Sequence, residues 1–138
     1  MRVFLDANVL VSVLNKEYPL FPNSSRILSL ADKPGFELYT SPICLAIAFY
    51  FSVKKSGTAM AKKKLEIIST KLKSTLVDQE TVRLTASDER VNDFEDGLEY
   101  YSALNSACEL IITEDKNGFY FSKIPVMNCE RFMQERLF

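Results

Sequence analysis

Short apolar runs alternate along this chain with longer stretches in which apolar side chains recur every three or four positions. Residues 2 to 6 read as a strand ending in Asp6, and Asn8 to Asn15 follows with Val9, Leu10, Val13 and Leu14 at helical spacing. Pro19 to Asn23 reads as a loop, after which Ser24 or Ser25 caps a helix running to about Asp32. Phe36 to Thr40 alternates as a second strand. Ser41-Pro42 then supplies an N-cap and a proline at the first helical position. The helix from Ile43 to about Lys55 is apolar nearly all round, which predicts burial on several sides, and Gly57 ends or interrupts it.

From Thr58 to Lys73 the pattern is amphipathic: Ala61, Leu65, Ile68 and Leu72 share one face, while Lys62, Lys63 and Lys64 point elsewhere. Leu76 and Val77 form a short third strand near Asp78, and a short helix covers about Glu80 to Ala86. Asp93 opens a strong helix through Leu104. Glu109 to Thr113 and Ile124 to Met127 are the remaining strands, and a helix over Arg131 to Leu137 closes the pattern. Strands alternating with helices predict an α/β three-layer sandwich, with a central, mostly parallel sheet of four to five strands and helices on both faces.

Composition narrows the chemistry. The 138 residues are 47% hydrophobic and 25% charged, as expected for one domain over residues 1 to 138 with one core. Cys44, Cys108 and Cys129 are widely spaced and odd in number, so they read as buried thiols in a reducing compartment rather than a disulfide framework or zinc knuckle. Met1 leads directly into the first strand, and no apolar run approaches membrane-spanning length. The expected location is the cytoplasm, with no membrane partner. The chain has no histidine, which excludes Ser-His-Asp triads, HExxH zinc sites and paired-histidine ribonuclease chemistry. Its net charge of -1 gives no global attraction to nucleic acid, so RNA binding would need a local basic face.

What remains is a set of acids. In an open parallel sheet the functional crevice lies outside the carboxyl ends of the strands. Asp6 ends the first strand, Asp115 follows the strand through Thr113, and Asp96 lies in the first turn of the helix before that strand, with Asp93 one turn earlier. Each also has a structural reading: Asp93 as an N-cap with Asp96 at N3, Asp115 as a turn former, and Asp6 as the cap of the first helix. Two carboxylates about 4 Å apart repel by roughly 4 kcal/mol at an effective dielectric near 20, so a convergent set needs protons or a cation. Hard oxygen donors without histidine or thiolate select Mg²⁺ or Mn²⁺.

The stretches Phe4-Leu5-Asp6-Ala7-Asn8-Val9-Leu10, Tyr39-Thr40-Ser41-Pro42, Asp93 to Ala103 and Ile111-Ile112-Thr113-Glu114-Asp115 carry a family resemblance in their order and spacing. Together with Lys123-Ile124-Pro125-Val126 before a final helix, they make the chain resemble a bacterial PIN-domain protein of the toxin ribonuclease kind. The resemblance implies catalytic, metal-ligating acids at Asp6, Asp96 and Asp115, with Asp93 as an auxiliary metal ligand and Asn8 or Ser12 as a polar supporter of Asp6. The family's remaining acid, usually a glutamate in the third helix, has no counterpart in Leu45-Ala46-Ile47-Ala48-Phe49. Gly118 stands where some relatives carry an aspartate.

The implied function is a Mg²⁺- or Mn²⁺-dependent endoribonuclease, with RNA guided by Lys54, Lys55, Lys62, Lys63 and Lys64. An antitoxin protein and a homodimer are the partners the resemblance suggests. The lysines also fit a plain solvated helix face. The missing acid predicts weak metal binding in the absence of RNA, and Asp93 or Glu99 is the residue that would replace it if binding proved tight. The alternative is a non-catalytic PIN-like module with a degenerate acidic site. A phosphoaspartate enzyme or receiver ranks last, since Asn8 occupies the place of the second aspartate that a haloacid-dehalogenase-like phosphatase requires.

Overall fold

In the computed structural model, which describes residues 1–137, five strands form one sheet in the order β3-β2-β1-β4-β5, and every neighbouring pair is parallel. The strands are β1 (Arg2–Leu5), β2 (Glu37–Thr40), β3 (Lys73–Ser74), β4 (Leu110–Ile112) and β5 (Val126–Met127). Seven helices connect and cover them: α1 (Ala7–Leu14), α2 (Phe21–Ser29), α3 (Pro42–Ser56), α4 (Thr58–Ser69), α5 (Gln79–Ser87), α6 (Phe94–Asn105) and α7 (Cys129–Arg136). This is the three-layer α/β arrangement that the alternating pattern predicts. Among the described residues no helix is long and apolar enough to cross a membrane.

β1 is the central strand, and its residues Val3, Phe4 and Leu5 are completely buried because helices cover both faces of a parallel sheet. Val3 pairs with Leu38 of β2 on one side and Leu110 of β4 on the other. The chain leaves β1 toward β2 and returns later to β4, so the order of the strands reverses beside β1. Such a switch point opens a crevice at the carboxyl ends of the two strands. Asp6 follows β1 directly, and Thr113 follows β4.

Three elements depart from the sequence pattern. The third strand is Lys73–Ser74, not Leu76–Val77, and it takes the last residue of the helix expected to run from Thr58 to Lys73, which ends at Ser69; Leu76 is 68% exposed. A two-residue edge strand is held mainly by backbone pairing with Tyr39 and Thr40, continued by the Thr75 N–H donating to the Thr40 carbonyl at 2.8 Å, and needs no apolar signal. Next, α2 begins at Phe21 with Pro22 in its first turn, so the expected loop through Asn23 is partly helix; a single 3₁₀ turn, Leu30–Asp32, follows it.

The third departure concerns α3, which buries only the stripe Cys44, Ala48 and Ser52 and leaves Tyr50 and Phe51 exposed. The buried positions are four residues apart and small, allowing close approach to α1; Leu45 and Ile47 flank them half-buried, and Tyr50 and Phe51 fall on the outer side. At its end, Gly57 adopts a φ of 79°, a left-handed conformation that glycine reaches without steric cost, before α4 begins.

Candidate metal centre

Asp6 has a double attachment to the ends of the two central strands. Its Oδ1 accepts the Ala7 N–H at 2.7 Å, capping α1, while Oδ2 accepts the Thr113 hydroxyl at 2.7 Å. Asn8 braces the same corner. Its amide donates to Thr113 Oγ1 at 3.1 Å and to Asp6 Oδ2 at 3.4 Å, and its Oδ1 accepts the Glu114 N–H at 3.1 Å. Ser12, the other proposed supporter, instead donates to the Val9 carbonyl in the helix interior.

Asp115 is held through the same threonine, its N–H donating to Thr113 Oγ1 at 3.1 Å, while its Oδ1 accepts the Asn117 N–H and organises the turn. A Cβ at Gly118 would meet the Asp115 carboxyl at 3.3 Å, so glycine leaves this side chain room. Asp93 is the N-cap of α6, accepting the Asp96 N–H at 3.1 Å. The capping roles anticipated for Asp6 and Asp93 are therefore present, and they coexist with convergence.

Asp6, Asp93, Asp96 and Asp115 line one cleft of about 410 Å³, joined by Glu17, Glu95, Asn8, Ile47 and Phe51. No lysine or arginine lines it among the described residues. The electrostatic consequence is clearest at Asp96. Burial first, then the charges of Asp93 and Asp6, push its carboxyl up to about 7; the Phe119 backbone N–H pulls the other way, and Asp115 adds a smaller upward push. Glu95 is raised by burial and by the charges of Asp93 and Asp6.

Beneath the cleft, Glu99 lies one turn beyond Asp96 on α6 and is 1% exposed. Its Oε1 accepts the Cys44 thiol from α3, and its Oε2 has no hydrogen-bond partner. Burial, followed by the charge of Asp6, pushes Glu99 up to about 10. Cys44 also approaches Asp6 Oδ1, at 3.8 Å, and burial raises its thiol well above the ordinary range. Asp6, Cys44 and Glu99 each bring one potential ligand atom within 4.8 Å of the others. The Cys44 to Glu99 contact had no local sequence signal. Only the i, i+3 spacing from Asp96 marked Glu99.

The residues fit a hard divalent cation. The cleft offers anionic oxygens without a countercharge, and a buried carboxylate oxygen beneath it has no partner. On α3 the residues lining the cleft are Ile47 and Phe51, both apolar.

The five lysines are spread out. Lys54 lies over the Tyr50 ring, 4.6 Å from its centre, and Lys55 donates to the Asn15 carbonyl. Lys64 donates to the Leu14 carbonyl at 3.0 Å and lines an apolar groove with Val13, Leu28 and Ile67. Lys62 lines a different shallow depression, with Leu45 and Leu65, and Lys63 is exposed. None of the five lines the acidic cleft.

The chain belongs to the PIN domain family, which matches residues 2–117. It is 30% identical over 136 residues to Ribonuclease VapC1 of Aquifex aeolicus (strain VF5), covering 96% of this chain and 94% of that protein. The fold is shared with VapBC2 from Rickettsia felis, solved bound to a DNA fragment from its promoter, at a TM-score of 0.70 and 18% identity, covering 93% of this chain and 98% of that one. It is shared also with VapC20 of Mycobacterium tuberculosis, described as a sarcin-ricin loop cleaving toxin, at a TM-score of 0.65 and 17% identity, covering 83% and 91% of the two chains.

Proposed function

We propose that this protein is an endoribonuclease dependent on Mg²⁺ or Mn²⁺ and acts as the toxin of a toxin–antitoxin pair. The observation that carries this reading is the convergence of Asp6, Asp96 and Asp115 in one cleft with no cationic side chain among its lining residues. Asp6, Asp96 and Asp115 hold the ion, and Asp93 adds charge from the cap of α6. An ion held there would supply polarisation of a phosphate oxygen and activation of a water for in-line attack. Thr113 and Asn8 fix the Asp6 carboxylate so that little reorganisation is needed when the substrate arrives.

Ile47 and Phe51 form an apolar wall that limits water on one side of the cleft. Lys54 follows Phe51 by one turn and is the cation nearest in sequence to that wall, so we assign the RNA backbone a path past it, with Lys55, Lys62, Lys63 and Lys64 contributing long-range attraction. The partner part of the proposal, an antitoxin protein, is supported by likeness to VapBC2 and to the toxin VapC20. A second reading, a non-catalytic module that keeps the fold, is favoured by a single observation, the presence of Ile47 where an acid would complete the cleft.

Cleavage of structured RNA measured with Mg²⁺, with Mn²⁺ and with EDTA separates the two. We expect metal-dependent cleavage that EDTA abolishes, and a loss on the order of 10²-fold or more in Asp96→Asn, the scale associated with removing one electrostatic stabiliser. RNA binding without cleavage under every metal condition would instead establish the non-catalytic module.

A further inference from the structure

A buried carboxyl group normally has a cationic or fully hydrogen-bonded partner, because leaving an acceptor dry and unpaired costs about 1–3 kcal/mol and more for a charged group. Glu99 has neither. It makes no ion pair; its Oε1 accepts the Cys44 thiol, Oε2 accepts no donor at 1% exposure, and the group beside it is the Asp6 carboxyl, with which it can share only a proton or a cation. Packing alone does not account for an acid here, since an apolar residue of similar volume would fill the space without that cost.

Three relationships give the unpartnered oxygen a direction. Glu99 shares a face of α6 with Asp96, one turn away. A ligand atom of Glu99 lies within 4.8 Å of one from Asp6 and of the Cys44 sulfur. Oxygens bound to one small divalent ion at about 2.1 Å lie roughly 3–4 Å apart, so modest side-chain adjustment brings Asp6 and Glu99 to a common ion. Meanwhile α3 presents Cys44 and Ile47 rather than a carboxylate. The buried acid beside Asp6 therefore comes from α6 rather than α3, although it does not itself line the cleft.

We propose that Glu99 is a ligand of the metal centre, supplying from α6 the fourth carboxylate that α3 lacks, with Cys44 as the positioning residue that holds Oε1 and leaves Oε2 free for the ion. This rests on the metal-dependent reading above. It places the ion deeper than a site made only of Asp6, Asp96 and Asp115, between the cleft and the buried Cys44 to Glu99 contact.

The test is titration of Mn²⁺ into the intact protein, followed by the electron paramagnetic resonance signal of free Mn²⁺, for wild type, Glu99→Gln and Asp96→Asn, with thermal melts of each. Gln is close in shape to the protonated acid, so folding should be preserved. We expect Glu99→Gln to weaken Mn²⁺ binding at least about tenfold without lowering the melting temperature, as Asp96→Asn does. A second measurement needs no variant: Mn²⁺ should broaden the side-chain carboxyl carbon resonance of Glu99 beyond detection while that of Glu130 on α7 stays sharp.

Wild-type Mn²⁺ affinity in Glu99→Gln, or a sharp Glu99 resonance at saturation, together with weakened binding in Asp96→Asn, would overturn this assignment and leave the metal centre standing. Failure of the wild type to bind Mn²⁺, even with a non-cleavable RNA present, would overturn the metal-dependent reading and this assignment with it.

Discussion

Thr113 and Asp6 are joined across the carboxyl ends of β4 and β1 by a 2.7 Å hydrogen bond from the threonine hydroxyl to Oδ2, and the same hydroxyl accepts the Asp115 N–H. One side chain therefore sets the position of two acids that lie 109 residues apart in the chain. Thr113 is 3% exposed, so water cannot replace its hydroxyl. Thr113→Val keeps the shape and removes the bond. It should cost about 1–2 kcal/mol of stability and lower Mn²⁺ affinity about tenfold, measured by denaturant melts and metal titration. Lost stability with unchanged affinity would reduce Thr113 to a packing role.

The stability of the metal-free protein should fall as pH rises. Asp96 is raised from 3.8 to about 7 and Glu99 from 4.5 to about 10, so the folded state binds these protons more tightly than the unfolded chain. Stability from this source is complete below the unfolded values and is lost progressively as pH climbs through about 7 for Asp96 and about 10 for Glu99. With EDTA present, the melting temperature should be higher near pH 5.5 than near pH 8.5, and Asp96→Asn should reduce the difference to the share that Glu99 contributes. Saturating Mn²⁺ should flatten it, because the ion replaces the protons. A melting temperature that rises over this interval in EDTA would contradict the assigned electrostatics.

Much of the fold was legible because β1, β2 and β4 each carry apolar residues up to an abrupt polar stop. Asp6 and Asp115 could be read at the stops after β1 and β4 and Asp96 in the first turn of α6, and the fold brings the three to the same cleft. β3 was misplaced because its two residues are exposed and held by backbone pairing and a Lys73–Glu37 ion pair rather than by apolar contacts, so hydrophobicity pointed instead to Leu76 and Val77. On α3, the run of apolar residues gave no hint that Cys44, Ala48 and Ser52 would form the buried seam. That seam places the Cys44 thiol on Glu99, a contact spanning 55 residues that no local pattern encodes.

The central claim is that the acids in this cleft hold one divalent ion. Anomalous scattering from a crystal of the protein soaked in Mn²⁺ tests it most directly. The account predicts a single strong peak bounded by the carboxylates of Asp6, Asp96 and Asp115, with Glu99 beneath it, and loss of that peak in Asp96→Asn. A fully ordered cleft with no peak at millimolar Mn²⁺, with or without a bound RNA fragment, would contradict it.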